Sequence, residues 1–344
     1  MQHAELYDVT IIGGGPVGLF SAFYSGMREM KTKIIESADE LGGKLQFYPD
    51  KILHDIGGID AISGAQFKEQ VIRQGMTFKP TIVLSQRIDK CDRLQDGTIR
   101  LTSHTGVEHL TRTVILAIGH GTFVPRKLDQ DGVEIYEGRN LHYSVDSLEH
   151  FRNKKVLISG GGDSAVDWAN ALEPIAAKVT VVHRRDEFGG HESNVTQMRN
   201  SSVEIITPFL LKEVHGIDGV IEKVTIEQVD SNETKEIAVD EVIVNHGIMA
   251  DLGAVKHWGL EIIEDRIGVD CWMTTSLPGV FAAGDGANYP SKLKLIAGGF
   301  TEGPTAVNSA KRYITQEELQ PIYSTHHDGL IAMHEEKATA AVNV

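Results

Sequence analysis

The chain has 344 residues, enough for about two domains at roughly 150 residues each. Its formal net charge of −15 at pH 7 argues against a nucleic-acid binder, which needs a basic face for phosphates, and against anionic membrane surfaces. Glycine is abundant at 35 residues, whereas Cys91 and Cys271 are the only cysteines, which excludes a disulfide framework and any four-cysteine metal site.

The first residues are polar or small and lead into a strand, Tyr7-Asp8-Val9-Thr10-Ile11-Ile12. No signal-peptide pattern precedes it and no apolar run approaches the length of a bilayer span, so a cytoplasmic chain without membrane contact is expected. The strand runs into Gly13-Gly14-Gly15, a helix is predicted from about Pro16 to Met30, and a second strand, Lys33-Ile34-Ile35, closes on Glu36. That is a βαβ unit. Strand-like pieces follow at Ile82-Val83-Leu84, Ile99-Arg100-Leu101 and Val114-Ile115-Leu116, with Gly97 and Gly106 in the turns.

A second βαβ unit begins at Val156-Leu157-Ile158, turns at Gly160-Gly161-Gly162, continues as a helix from Asp163 to Leu172 and returns as Val179-Thr180-Val181-Val182. The period-2 stretch from Val220 to Val229 predicts an antiparallel strand, and Glu241-Val242-Ile243-Val244 ends at Asn245-His246-Gly247. The last strand signal, Val280-Phe281-Ala282-Ala283, runs into Gly284-Asp285-Gly286. A helix is predicted from Thr305 to Ile314, opened by Gly303-Pro304-Thr305, and a polar tail runs from Glu335 to Val344.

Gly13-x-Gly15-x-x-Gly18 sits between a strand and a helix, the context the dinucleotide fingerprint requires. The first glycine permits the tight turn, the second lets the backbone approach a pyrophosphate and the third lets helix and strand pack closely. Pro16 then opens the helix, whose N-terminal N–H groups suit phosphate. A carboxylate at Glu36 suits ribose hydroxyls and repels a 2′-phosphate, so this site is expected to hold FAD or NAD rather than NADP. The second turn, Gly160-x-Gly162-x-x-Ala165 with Asp163 and Ser164 inside it, carries an accepted alanine variant. Its second strand ends in His183-Arg184-Arg185 instead of an acid. Guanidinium groups pair bidentately with phosphate, so this site selects the 2′-phosphate of NADPH.

Two nested dinucleotide sites and a terminal Gly-Asp strand resemble the low-molecular-weight flavin disulfide reductases, of which thioredoxin reductase is the best known. The phrases Val182-His183-Arg184-Arg185-Asp186-Glu187-Phe188 and Thr275-Ser276-Leu277-Pro278-Gly279-Val280-Phe281-Ala282-Ala283-Gly284-Asp285 carry the resemblance. The redox chemistry of that group is missing. Where a thioredoxin reductase has Cys-x-x-Cys, this chain reads Tyr143-Ser144-Val145-Asp146, and the first glycine turn lacks the cysteine of bacillithiol-disulfide-reductase-like proteins. Cys91 and Cys271 are expected to be ordinary part-buried thiols.

The remaining relative it resembles is the thioredoxin-reductase-like ferredoxin–NADP reductase family. Leu41-Gly42-Gly43-Lys44-Leu45-Gln46-Phe47-Tyr48-Pro49, Gly121-Thr122-Phe123-Val124-Pro125-Arg126, Glu302-Gly303-Pro304-Thr305-Ala306-Val307-Asn308 and Gln320-Pro321-Ile322-Tyr323-Ser324-Thr325 are the similar phrases. The resemblance implies an α/β architecture of two Rossmann-like, three-layer dinucleotide-binding domains. Residues 1–121 and 248–344, with a C-terminal extension, would form the FAD domain, and 122–247 an inserted NADPH domain. It further implies that Tyr48 and Tyr323 cover the two flavin faces, with Ser324 and Thr325 beside the second ring. Lys44, Ile88, Phe123, Gly284 and Asp285 match other flavin-contact positions, Asp285 on the ribityl hydroxyls. The positive end of the helix begun at Gly303-Pro304-Thr305 is expected near the flavin N1–O2 edge.

The activity implied is hydride transfer from NADPH to flavin N5, followed by single-electron steps to ferredoxin or flavodoxin, in a homodimer. No catalytic side chain and no metal site are expected, because the cofactor does the chemistry. His104, His109, His326 and His327 are expected to be solvated. Two alternatives are an NADPH diaphorase for small acceptors and a non-catalytic dinucleotide sensor. The net charge of −15 opposes an acidic ferredoxin at long range, unless Arg87, Lys90, Arg126, Lys127, Lys292 and Lys294 form a local basic patch.

Overall fold

A computed structural model describes residues 5–231 and 233–317. Two sheets organise it, the first mixed and the second parallel. The first runs Thr81–Val83, Thr32–Ile35, Leu6–Ile12 and Glu108–Leu116 in spatial order. The strand Glu108–Leu116 then serves two partners. Its first half pairs antiparallel with Ile99–Ser103 (Ile99 opposite Thr111), and its second half pairs parallel with Val280–Ala282 (Val114 opposite Val280). The second sheet is wholly parallel, in the order Leu141–His142, Glu241–Asn245, Lys155–Gly160, Lys178–Val182 and Glu204–Ile206.

Successive side chains on a strand point to opposite faces, and strands covered on both faces read as continuous apolar runs. In the first sheet Val9, Ile11, Ile34, Ile115 and Phe281 face one core, packed by helices Pro16–Met27, Gly64–Gly75 and Ile296–Thr315. Ile12, Ile35, Val114, Leu116, Val280 and Ala282 face the other, with Ile99 and Leu101 of the antiparallel hairpin. The second sheet repeats the division. Val156, Ile158, Val179, Val181 and Ile243 meet Ala165, Val166, Ala169 and Leu172 of the helix Asp163–Leu172. Leu157, Val182, Val242 and Val244 meet the antiparallel meander of Phe209–Ile217, Val220–Gln228 and Thr234–Ala238. Helices, parallel sheet and meander make three layers in the second unit; in the first, helices cover one face of the sheet and its own antiparallel strands help to close the other core.

The chain passes between the sheets through two short strands, Thr122–Pro125 and Ile248–Asp251, which pair antiparallel with Pro125 opposite Ile248 and Thr122 opposite Asp251. Neither strand was anticipated, nor were the helices Gly64–Gly75 and Glu192–Arg199 or the outer strands of the meander.

The C-terminal helix needs a correction. It begins at Ile296 rather than at Thr305 and carries Pro304 in its interior. Gly299 and Gly303 have no side chain because the helix Pro16–Met27 leaves no room: a Cβ would sit 2.3 Å from Val17 Cγ2 and 2.5 Å from Ser21 Oγ, respectively. Glycines that look like a loop are the seam of a close helix pair. The cysteine reading is also corrected in part: Cys91 is part-buried, with burial pushing its thiol up to about 12, but Cys271 is exposed.

Candidate active site

The first glycine turn is built for close backbone approach. Gly13 has φ +110°, and a Cβ there would lie 2.3 Å from Ala117 O. A Cβ on Gly18 would lie 2.0 Å from Gly13 O, so only glycine lets the helix start against the strand. Gly15 is the residue before that helix and no side chain caps it, with Pro16 in the first turn. Glu36 is buried at the end of its strand. Its Oε2 accepts from the Gly14 N–H at 2.6 Å and its Oε1 from the Ala38 N–H at 2.9 Å. Oε2 therefore keeps an acceptor position for a further donor.

The segment after Gly42-Gly43 lies against this turn, with a Cβ on Gly15 falling 3.7 Å from Gly43 Cα. It brings Lys44 to Asp285 at 3.3 Å, and His120 Nδ1 lies 3.4 Å from the same carboxylate oxygen and in contact with Lys44 Nζ. His120, first, and Lys44 hold the Asp285 carboxyl far below the usual carboxylate range, while burial pushes the Lys44 ammonium down. Gly284 is held from behind. Its N–H donates to Glu302 Oε2 at 2.6 Å, and Glu302 Oε1 accepts from Tyr289 O–H at 2.7 Å and from Lys292. Glu302 and Lys292 form an ion pair whose side chains are only 3% and 5% exposed.

Lys44, Tyr48 and Asp285 line a cleft of about 1460 Å³ whose opposite wall is the second glycine turn. Gly160, Gly162, Asp163, Ser164, Ala165, His183 and Arg184 are on that wall, and Lys294, Leu295 and Ile296 bring the start of the C-terminal helix to the cleft. The helix end expected at Gly303-Pro304-Thr305 is thus supplied two turns earlier. Tyr48 packs against the helix-side cores of both units, and burial, with Asp285 and Asp55, pushes its hydroxyl up to about 12. Lys51 reaches across to Asp167 at 2.6 Å.

Some sequence-based expectations land elsewhere. Ile88 opens the end strand Ile88–Arg93 of the first sheet, is buried with Ile35 and Leu116 and does not line this cleft. The Phe123 side chain and Tyr323, Ser324 and Thr325 lie outside the described residues. His183 covers the second turn: a Cβ on Gly161 would meet its ring at 2.3 Å. Burial, chiefly, and the neighbouring arginines push its imidazole toward the neutral form. Arg184 and Arg185 are exposed and pair with no carboxylate among the described residues. His109 is not solvated. It is buried between Lys33 and Gln86, its Nδ1 3.3 Å from Lys33 Nζ and its Nε2 2.8 Å from Gln86 Oε1.

The basic patch is reduced. Arg87 is bound to Asp89 at 2.9 Å, Lys127 to Glu137 at 2.5 Å, and Lys292 is buried against Glu302. Arg126 and Lys294 remain unpaired on the cleft among the described residues. His120 and His246 were missed. His246 Nε2 lies 2.8 Å from Ser159 Oγ on the mouth of the second turn, beside Arg184. Both follow the carboxyl ends of parallel strands (His120 between Gly119 and Gly121, His246 before Gly247), where ligands of such sheets bind.

Residues 7–310 match the pyridine nucleotide-disulphide oxidoreductase family. The chain is 58% identical over 332 residues, covering 96% of it and 99% of the relative, to ferredoxin–NADP reductase 1 of Bacillus velezensis. It is 50% identical over 324 residues (94% and 98%) to ferredoxin–NADP reductase 2 of Oceanobacillus iheyensis. Among solved structures it is similar to the thioredoxin reductase of Lactococcus lactis in its FR conformation, with a TM-score of 0.80 and 26% identity over 90% of this chain and 100% of that one. The bacillithiol disulfide reductase Bdr of Staphylococcus aureus shares the fold, with a TM-score of 0.74 at 18% identity over 91% and 100%. The chain belongs to the pyridine nucleotide-disulphide oxidoreductase family, among relatives named ferredoxin–NADP reductase.

Proposed function

We propose that the chain is an FAD-dependent ferredoxin–NADP reductase that passes electrons between NADPH and ferredoxin, with flavodoxin as a second acceptor. The observation that carries this reading is the shared cleft: two glycine turns from separate sheets face one space, and no cysteine lines it among the described residues. Electron exit through a protein disulfide is therefore ruled out on the residues present. FAD, when bound, accepts hydride from NADPH and releases electrons singly.

The residues fit that group. The turn Gly13, Gly15, Pro16 and Gly18 would take the FAD pyrophosphate: glycine at 13 and 18 lets the helix start against the strand, and the helix N-terminus after Gly15 has no side-chain cap. Glu36 would use its remaining acceptor position for the adenosine ribose. Lys44, Tyr48, Gly284 and Asp285 would hold the flavin end, with Asp285 kept ionised by His120 and Lys44 as an acceptor for hydroxyls. Phe123 belongs to the same proposed set, as do Tyr323, Ser324 and Thr325; Ile88, buried away from the cleft, does not. The start of the helix at Ile296 directs its uncapped N–H groups to the cleft and suits developing negative charge there. On the opposite wall Gly160, Gly162, Asp163, Ser164 and Ala165 would receive the NADPH pyrophosphate. Arg184 and Arg185 would take the 2′-phosphate, with His183 packed on the turn.

Residues 1–121 and 248–344 are assigned to the FAD domain and 122–247 to the NADPH domain. A homodimer and a cytoplasmic location complete the proposal. Among the described residues no helix is long and apolar enough to cross a membrane.

A second reading, an NADPH diaphorase, is favoured by the net charge of −15 and by the internal pairing of Arg87, Lys127 and Lys292. One assay separates them. NADPH-dependent cytochrome c reduction should rise on adding ferredoxin or flavodoxin; an unchanged rate selects the diaphorase. NADPH should bleach the yellow protein, and a colourless, unreactive protein would leave only a sensor.

A further inference from the structure

At the end of the second sheet opposite its glycine turn, Glu241 opens the interior strand Glu241–Asn245, one residue before Val242 pairs with Leu141. Its side chain is 4% exposed, yet it carries a carboxylate. Two histidines meet it: His142 Nε2 lies 2.6 Å from Oε2 and His150 Nε2 lies 3.0 Å from Oε1. The three donor atoms all fall within 4.8 Å of one another. Both imidazoles pack edge-on against Phe151, at 5.2 Å and 5.0 Å between ring centroids, and Phe151 is 1% exposed. The rings are therefore oriented by the core and not by solvent.

We propose that His142, His150 and Glu241 form a binding site for a divalent transition metal of the zinc class, separate from the cleft. Two neutral imidazole nitrogens and one carboxylate are a donor set that zinc accepts, with water completing the tetrahedron. Lys154 Nζ now serves as the local cation, 2.5 Å from Glu241 Oε1 and 3.3 Å from His150 Nε2. Metal and ammonium compete for the same donors. Lys154 is one-third exposed and can withdraw into solvent along its flexible stem.

The two histidines bracket residues 143–149, of which Tyr143, Ser144, Val145 and Leu148 line the cleft. Glu241 belongs to the sheet beneath. A bound metal would therefore pin a wall of the cleft to the rigid strand, fixing it from the side away from the nucleotide turn.

The test uses the full-length holoprotein, tag removed and stripped with a chelator, titrated with zinc alone in a calorimeter. One zinc per chain is expected, with amide exchange in 143–149 slowed on its addition. His150→Gln, at a half-exposed position, should match the wild-type melting temperature in chelator while losing tenfold or more in zinc affinity. His142→Gln and Glu241→Gln should lose zinc affinity likewise, and Glu241→Gln should also lower the melting temperature, because it takes the buried charge from beside Lys154. Lys154→Gln should gain affinity, because the competing ammonium is gone. No zinc binding by the wild type, or binding left intact by His150→Gln, would overturn the proposal. If Glu241→Gln does not fold, His150→Gln decides alone.

Discussion

The Lys292–Glu302 pair supports a quantitative prediction. Both side chains are at most 5% exposed, and Glu302 also takes the Gly284 N–H and the Tyr289 hydroxyl. Removing one partner of such a pair leaves an uncompensated buried charge, at a cost of about 3–5 kcal/mol. Glu302→Gln keeps the shape and the acceptor for Gly284 but strands the Lys292 ammonium, so the cost should fall in that range. For a cooperative unit of about 200 residues, this lowers Tm by roughly 7–12 °C. Lys292→Met strands the carboxylate instead and should cost a similar amount. The double variant has no buried charge at this site. Its loss should be smaller than the two single losses together by at least about 1 kcal/mol, the coupling expected of contacting residues. Thermal unfolding followed by both circular dichroism and flavin release measures all four proteins. The release signal should move with Tm, since Glu302 holds the turn that carries Asp285. Strict additivity, or single variants within about 0.5 kcal/mol of wild type, the range of ordinary surface changes, would refute the reasoning.

Three further outcomes are expected. Arg184→Ala should raise the KM for NADPH by roughly 10- to 150-fold, equivalent to about 1.5–3 kcal/mol for a charge-assisted contact, and leave NADH kinetics unchanged; an equal loss with both coenzymes would remove the arginine from phosphate recognition. His109 is pushed down to about 4 by burial and by Lys33, below its unfolded value of about 6.5. The unfolded chain therefore binds this proton more readily, so the contribution of His109 is full above pH 6.5 and lost as pH falls toward 4, up to about 3 kcal/mol. His109→Gln should flatten that part of a Tm-against-pH curve, and an unchanged curve would show that the ring is not held neutral. Reversing Arg126 or Lys294 to Glu should lower the ferredoxin-dependent rate relative to the ferricyanide rate, and the gap should narrow as salt rises; a salt-independent ratio would place ferredoxin elsewhere.

What could be read in the residue order was what local physics determines. Gly13, Gly15 and Gly18 are legible as a turn from their spacing between strand and helix, and a Cβ at Gly13 or Gly18 would indeed strike backbone; Val9 to Ile12 reads as a strand because both its faces are buried. The helix from Asp163 to Leu172 was bounded as found, since glycine precedes it and its apolar period is complete. Long-range packing hid the rest. Gly299, Gly303 and Pro304 look like helix breakers until the helix Pro16–Met27 is set against them. Lys292 reads as a surface cation because nothing nearby announces Glu302, ten residues on, as its buried partner. His142 and Glu241 lie 99 positions apart and meet only because their strands are neighbours. The linking strands are four residues each, too short for a period.

Those linking strands also make the molecule modular. Entry to the second unit and exit from it lie side by side, Pro125 opposite Ile248, and the Arg126 N–H donates to Gly247 O at 3.0 Å. Residues opposed on adjacent strands are about 5 Å apart, so the ends of the segment 126–247 could be joined by a short turn without stretching either unit. The first unit would be left with its own two chain ends equally close, ready to accept a loop or a foreign domain of matching termini. Insertion of this kind is tolerated where the ends of the guest coincide. Here the site of transplantation is drawn by four backbone pairs.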